Sequence, residues 1–345
     1  MPEEGPSRIV LVFVDGLGWG EPDPRVNPCH SYGGDIFRLP AAPAAPIAVT
    51  DSQKGWSTPV PLPFAGFAVP VDAVLGVEGV PQSATGQTTL LTGVNAQELL
   101  GKHLTGFPNP PLRELLLHKS VLKTLTDHGL HARFLNVYRP LYFELPYEKQ
   151  VTLSATTVAN LAAGNRFSNL DDLCNRQAIY QEFTNQELLK KGFDVPEFTP
   201  AEAGVILARQ ARQHDFLLFE YFKTDQAGHS QDFDLARLHL RRLDEFLVAL
   251  LGELQGQDLT ISENRGVDRQ ESLVSGAQRT NTLVVLTSDH GNIEDLTTRR
   301  HTSNPVPLLA WGPGAGRLVQ KVRLLSDVSP ALVQLLTGGD LNSLI

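Results

Sequence analysis

Apolar runs that stop abruptly at polar tips recur along the chain. Arg8-Ile-Val-Leu-Val-Phe-Val-Asp15-Gly16, Asp215-Phe-Leu-Leu-Phe-Glu220-Tyr-Phe and Thr282-Leu-Val-Val-Leu-Thr-Ser288-Asp289-His290-Gly291-Asn292 each carry a nearly unbroken apolar or β-branched core. That is the pattern of a strand buried on both faces of a parallel sheet. Between these runs the spacing turns helical. A helix is predicted from near Ser83 to Gly93. Thr199-Pro200-Ala-Glu202 has the capping box and first-turn proline of a helix reaching about Gln213. Leu235 to Leu254 repeats apolar residues at helical intervals, and Ser326-Asp327-Val-Ser-Pro330 opens a last helix to Leu336, stopped by Gly338-Gly339. The alternation predicts an α/β core with a mostly parallel central sheet flanked by helices.

Three stretches break the pattern. Gly-Leu-Gly-Trp-Gly after Asp15 and the proline-rich segment to about Pro63 read as loop. A connection of that length usually carries function or covers a site. Residues 97–199 alternate short helices and strands, carry Lys102, Arg113, Arg133, Arg139, Arg166 and Arg176, and lack the strand-to-acid signature. They read as a smaller α+β cap inserted into a discontinuous core of residues 1–96 and 200–345. Residues 255–281 are polar and poor in apolar side chains, a surface insertion within that core. No internal repeat appears.

Composition narrows the function classes. At 345 residues, 41% hydrophobic and 19% charged, the chain is long enough for one large α/β domain or a core plus a smaller unit. A net charge of −9 excludes a general nucleic-acid binder, though bound divalent cations would still admit an anionic substrate. Cys29 and Cys174 have no metal-type spacing and suggest a reducing compartment. The amino terminus has no signal-like apolar core, and no apolar run nears the ~18–20 residues of a membrane span. The expectation is a soluble, cytoplasmic protein without a membrane or nucleic-acid partner. The oligomeric state leaves no mark in the sequence.

Ligands of open α/β sheets sit at the carboxyl ends of the strands. Those ends here carry Asp15, Asp225 with His229, and Asp289 with His290, and His301 follows eleven residues later. One by one they read as a turn, a surface pair or a strand-edge histidine. Together they make two oxygen/imidazole triplets, enough for two divalent metal sites with open positions. Manganese, zinc, iron or magnesium suits such donors. Ser83 at a helix start is either an ordinary cap or a nucleophile beside the positive helix end.

Val14-Asp15-Gly16, Pro81-Gln-Ser-Ala-Thr-Gly-Gln87, Thr224-Asp225-Gln-Ala-Gly-His229, Ser288-Asp-His-Gly-Asn292 and His301-Thr-Ser-Asn-Pro-Val-Pro307 together resemble the alkaline phosphatase superfamily. The likeness is to its branch containing cofactor-independent phosphoglycerate mutase and phosphopentomutase. The resemblance implies an alkaline-phosphatase-like core. Asp15, Ser83, Asp289 and His290 would hold one ion, and Asp225, His229 and His301 a second, with manganese or zinc ahead of magnesium or iron. It implies Ser83 as nucleophile, with Thr85 as the fallback, and a cap that holds the substrate. One departure stands out: Gln82 and Gln87 occupy positions where that branch tends to have an acid and a histidine.

The reaction implied is two-metal-dependent phosphoryl transfer on a small phosphorylated metabolite through a covalent phosphoserine. Transfer to water makes a phosphomonoesterase, a hydrolase. Transfer to a second substrate hydroxyl makes a phosphomutase, an isomerase. A phosphodiesterase on the same core, or a non-catalytic metal or metabolite binder, are the alternatives. A type I sulfatase is excluded by the missing Cys/Ser-x-Pro-x-Arg motif around Ser83. Arg113, Arg139, Arg166, Arg176, Lys102 and His103 are candidates for clamping an anionic substrate.

Overall fold

The computed structural model describes residues 5–41, 58–256 and 281–338. Among them, seven strands form one sheet: β1 (Arg8–Val14), β2 (Val60–Leu62), β3 (Gly66–Val71), β4 (Ala132–Phe134), β5 (Phe216–Tyr221), β6 (Thr282–Thr287) and β7 (Val306–Trp311). Their spatial order is β2-β3-β7-β6-β1-β5-β4. The three apolar runs are β1, β5 and β6, and β1 lies between the other two, parallel to both.

Alternation along β1 divides the core in two. Val10, Val12 and Val14 join a cluster with Leu207 of helix Pro200–Ala211 and Leu243 of helix Phe233–Gln255. Ile9, Leu11 and Phe13 face the other way, toward Leu90 of helix α1 (Ser83–Thr92) and Leu332 of helix Val328–Thr337. With both faces covered, a strand gains nothing from a polar position, so its sequence is continuous rather than alternating. The capping box at Thr199 and Glu202 is formed.

The sheet is mixed, which corrects the expectation of a mostly parallel one. The pairs β4–β5, β5–β1 and β1–β6 are parallel. The pairs β6–β7, β7–β3 and β3–β2 are antiparallel. The cause lies after β6. A parallel return needs a long crossover, usually a helix. Residues 288–305 form turns instead, and the chain re-enters the sheet beside β6 running backward.

Residues 97–199 are reassigned in part. β4 lies within them and is the sheet's edge strand. Leu116, Leu122, Leu125 and Val158 pack into the same cluster as Ile9 and Leu11. Their apolar faces find no second sheet to cover, so they bury on the existing one. Residues 138–157 and 180–191 instead supply walls of a cleft at the carboxyl edge. Of the predicted loop after Asp15, residues 17–41 pack onto the core through Leu17, Trp19, Tyr32 and Phe37, and residues 42–57 lie outside the described residues. So does nearly all of the polar insertion at 255–281. Among the described residues, no helix is long and apolar enough to cross a membrane.

Candidate active site

Because β1, β5 and β6 run parallel, their carboxyl ends share one edge of the sheet, and the antiparallel β7 begins there. Asp15 follows β1, and Asp289 and His290 follow β6 after one serine. Helix Lys223–Ser230 begins one residue beyond β5 and carries Asp225 and His229 one turn apart. His301 stands in the turn before β7. Backbone contacts fix the levels: Asp15 N–H donates to Tyr221 O at 2.9 Å, and Thr224 Oγ1 donates to Asp15 O at 2.5 Å. Gly16 has φ +69°, and a Cβ there would lie 2.8 Å from Asp225 Cα. Only glycine permits that turn and that approach.

The ligand atoms of Asp15, Asp289 and His290 lie within 4.8 Å of one another, as do those of Asp225, His290 and His301. His290 Nε2 is 3.2 Å from Asp15 Oδ1 and 3.4 Å from Asp289 Oδ2. His301 Nε2 is 3.5 Å from Asp225 Oδ1 and 3.2 Å from His229 Nε2, and His229 Nε2 is 3.3 Å from Asp225 Oδ2. The rings of His290 and His301 stack with centroids 3.6 Å apart. All six predicted carboxylate and imidazole ligands therefore converge. They form two abutting groups, with His290 facing both.

A cation suits this arrangement. Asp15 Oδ1 and Asp289 Oδ2 are buried and receive no hydrogen bond, a costly condition for carboxylates. Burial raises the Asp289 carboxyl well above the usual range, and the charge of Asp15 adds to the rise. Burial alone would lower His290, but Asp289, Asp15 and Asp225 outweigh it and raise the imidazole to about 10. Asp225 shows the opposite balance. Burial pushes its carboxyl up, yet the hydrogen bond from His301, the charge of His290 and the Asn292 amide bring it to about 2. The basin thus concentrates negative charge, and oxygen and nitrogen donors without sulfur fit a divalent ion of the harder or borderline kind.

Ser83 is the first residue of α1. The residue before it, Gln82, makes no side-chain cap. Ser83 Oγ lies 3.1 Å from His290 Nε2, which sets it against the ligand basin rather than in a capping role. Thr85 is placed otherwise: its hydroxyl donates to Gln82 O at 3.2 Å and accepts from Leu104 N–H at 3.2 Å, fully buried. Gln87, one turn beyond Ser83, donates from Nε2 to Asp15 Oδ2 at 3.3 Å. α1 can press against the basin because a Cβ at residue 86 would meet Asp289 O at 2.6 Å, and Gly86 has none.

Three residues escaped the sequence reading. Glu294, buried, accepts from Gly18 N–H at 2.9 Å, Asn292 N–H at 2.8 Å, Asn304 Nδ2 at 3.1 Å and the Thr302 hydroxyl. It ties together the loops bearing Asp15, Asp289 and His301. Asn292 Nδ2 donates to Asp225 Oδ1 at 2.7 Å. Glu220, at the end of β5, accepts from Thr156 Oγ1 at 2.7 Å. Burial, opposed by that hydrogen bond and helped by Asp15, raises its carboxyl to about 7. Glu220 carried a signal, an acid closing an apolar run. Asn292 closed the Ser288–Asn292 motif with no role assigned to it, and Glu294 carried no signal beyond nearness to Asp289.

Two cavities meet at Ser83. One, of about 590 Å³, is lined by Asp15, Ser83 and Glu220 at its floor and by Tyr138, Arg139 and Tyr142 above. The other, of about 540 Å³, includes Asp225, His229, His301, Arg299 and Arg300. Of the predicted clamps only Arg139 lines either one. Arg166 pairs with Asp172 at 2.8 Å and Arg176 with Glu202 at 3.0 Å, away from the cavities. Arg113, Lys102 and His103 are also absent from both linings.

A family model described as the metalloenzyme superfamily matches residues 266–338. The chain is similar to the 2,3-bisphosphoglycerate-independent phosphoglycerate mutase of Natronomonas pharaonis, at 25% identity over 232 residues. That match covers 62% of this chain and 41% of the relative, so the chain spans about two fifths of that protein's length. Among solved structures, alkaline phosphatase from the Antarctic bacterium TAB5 aligns over 98% of this chain and 100% of its own, with TM-score 0.51 and 11% identity. A Pyrococcus horikoshii protein aligns over 99% of both chains, with TM-score 0.51 and 16% identity. At such identities the structural likeness is one of fold.

Proposed function

We propose that the chain is a metal-dependent phosphomonoesterase of the alkaline phosphatase superfamily, related to phosphoglycerate mutase and acting through Ser83. The observation that carries this reading is the position of Ser83 Oγ, 3.1 Å from His290 Nε2 at the floor of a solvent-connected cleft. Two divalent ions, manganese or zinc ahead of magnesium or iron, would favour the serine alkoxide and offset phosphoryl charge when held by Asp15, Ser83, Asp289 and His290 and by Asp225, His229 and His301.

This chain's own groups do the rest. Ser83 Oγ attacks phosphorus as the ester oxygen departs with its bonding pair and takes up a proton, leaving phosphoserine. The positive end of α1 favours the anionic group there. Gln87 holds Asp15, and Asn292 holds Asp225, so the ligand atoms keep their places. Water then attacks the phosphoserine, phosphate leaves, and Ser83 recovers its proton. Hydrolysis is favoured over internal transfer by the mouth of the cleft, where Phe107, Arg139, Leu141 and Lys191 are all exposed.

A phosphomutase, in which a second hydroxyl of the same substrate takes the phosphoryl group, is the second reading. The Natronomonas relative supports it by name. The deciding assay offers phosphomonoesters to metal-reconstituted protein and scores free phosphate and isomerised product together. Phosphate is the expected product, and Ser83→Ala should lose about 10³-fold or more in rate. Full activity in Ser83→Ala removes the serine from the reaction. Isomerised product without phosphate establishes the mutase. Turnover of diesters alone points to a phosphodiesterase, and no turnover with metal bound points to a binding protein.

A further inference from the structure

The walls of the larger cleft do not suit a small, highly charged metabolite. We infer that its substrate is a phosphomonoester whose leaving group carries a flat aromatic or heteroaromatic ring, an inference that rests on the phosphomonoesterase reading. The cleft's 590 Å³ falls within the ~300–1,000 Å³ of pockets that hold drug-sized ligands, far more than a phosphoryl group on a three-carbon chain needs. Its floor holds the chemistry, Ser83 and Asp15. Its walls are aromatic: Phe134, Tyr138, Tyr142, Tyr180 and Phe222 all line it.

This aromatic wall is braced before any ligand arrives. The rings of Tyr138 and Tyr142 lie 4.3 Å apart, and Phe167, outside the lining, packs on both at 4.8 and 4.7 Å. The Tyr138 hydroxyl is 2.6 Å from Thr157 Oγ1, so the ring is held at its polar end as well. At the mouth, Phe107 is 63% exposed and Leu141 68% exposed. Both belong to the lining, and exposed large apolar groups collected at one opening mark a binding surface. Pre-placed rings of this kind take a flat ring by offset or edge-on stacking.

Charge points the same way. The lining contains Arg139 and Lys191 as its cations, both exposed at the rim, against Asp15 and Glu220 at the floor. A carboxylate or second phosphate is bound best by guanidinium forks, and none stands at this cleft's floor, since Arg299 and Arg300 line the other cavity. Arg166 and Arg176, two of the clamps the sequence offered, are occupied by Asp172 and Glu202.

The test compares adenosine 5′-monophosphate with ribose 5-phosphate, which share the leaving 5′ oxygen and differ by the ring. With the metal-reconstituted full chain, kcat/KM for the nucleotide should exceed that for the sugar phosphate at least tenfold. That ratio should fall at least threefold in Phe107→Ala and in Tyr142→Leu, and being a ratio it is insensitive to the folded fraction. A ratio near one in the unaltered protein, or a ratio unmoved in both variants, overturns the inference while leaving the phosphomonoesterase reading in place. Calorimetric titration of both probes separates the two claims. Tighter binding of the nucleotide without hydrolysis of either ester supports the ring site and removes the phosphomonoesterase. Equal binding without hydrolysis overturns both.

Discussion

The floor and the cover of the cleft are built by opposite rules. The floor consists of charged side chains at strand ends, buried and crowded, with Asp289 and His290 fully shielded from water. Its neighbours are chosen for hydrogen bonding, and Glu294 alone gathers four partners from two loops. The cover consists of rings and aliphatic groups, partly exposed, joined to the protein by packing and by ion pairs such as Arg166–Asp172, accessible on the arginine side. Buried charge demands exact partners because each unpaired atom costs free energy, whereas stacked rings tolerate small shifts. In the function proposed above, chemistry belongs to the buried floor and selection of the leaving group to the cover.

That contrast can be broken at the floor first. Glu294→Gln keeps the shape but sets an amide N–H against N–H donors of Gly18 and Asn292, or against Thr302 and Asn304. It should cost about 3 kcal/mol or more and weaken metal binding at the same time. Equilibrium denaturation paired with metal analysis checks this. A loss under about 1 kcal/mol would show that the loops hold their places without the carboxylate.

Glu220 tests burial by pH. Its carboxyl is pushed up to about 7 from an ordinary 4.5, first by burial and then, after the opposing Thr156 bond, by Asp15. The folded state thus holds this proton more tightly than the unfolded one. The resulting stability is fully present below about 4.5 and is lost as pH rises through about 7. Across that window the unaltered protein should lose about 3 kcal/mol relative to Glu220→Gln, measured on chelator-treated protein. Parallel stability curves for the two proteins would contradict the burial argument.

Asp289→Asn should change sign with conditions. Without metal it relieves a buried carboxylate whose Oδ2 has no hydrogen bond, raising stability by about 1–3 kcal/mol. With metal at about a hundred times its Kd it forfeits up to ~2.7 kcal/mol of binding stabilisation, and metal content falls. Thermal unfolding with and without chelator reads both. Unchanged metal content would remove Asp289 from the ligand set. The smallest effect belongs to the cover. Arg166→Ala removes a largely accessible arginine from its two-pronged bond to the buried Asp172 carboxylate, and should cost about 1 kcal/mol by equilibrium denaturation.

The sequence by itself determined the strands and their tips. Continuous apolar runs can only be buried on both faces, so β1, β5 and β6 were legible, and with them the strand ends bearing Asp15, Asp289 and His290. The helix at Ser83 and the capping box at Thr199 follow from local rules and were legible too. Tertiary structure decided the rest. The direction of β7 depends on whether residues 288–305 form a crossover helix, and the place of β4 on which sheet edge is free. Neither is written in a local pattern. Thr85 and Ser83 look alike in sequence, yet one hydroxyl is spent on backbone groups and the other meets His290. Glu294 became a clamp because the loop after β1 and both ends of its own β6–β7 connection close around it. Periodicity reports what a residue does to its own segment, and only the folded contacts report what distant segments do to the residue.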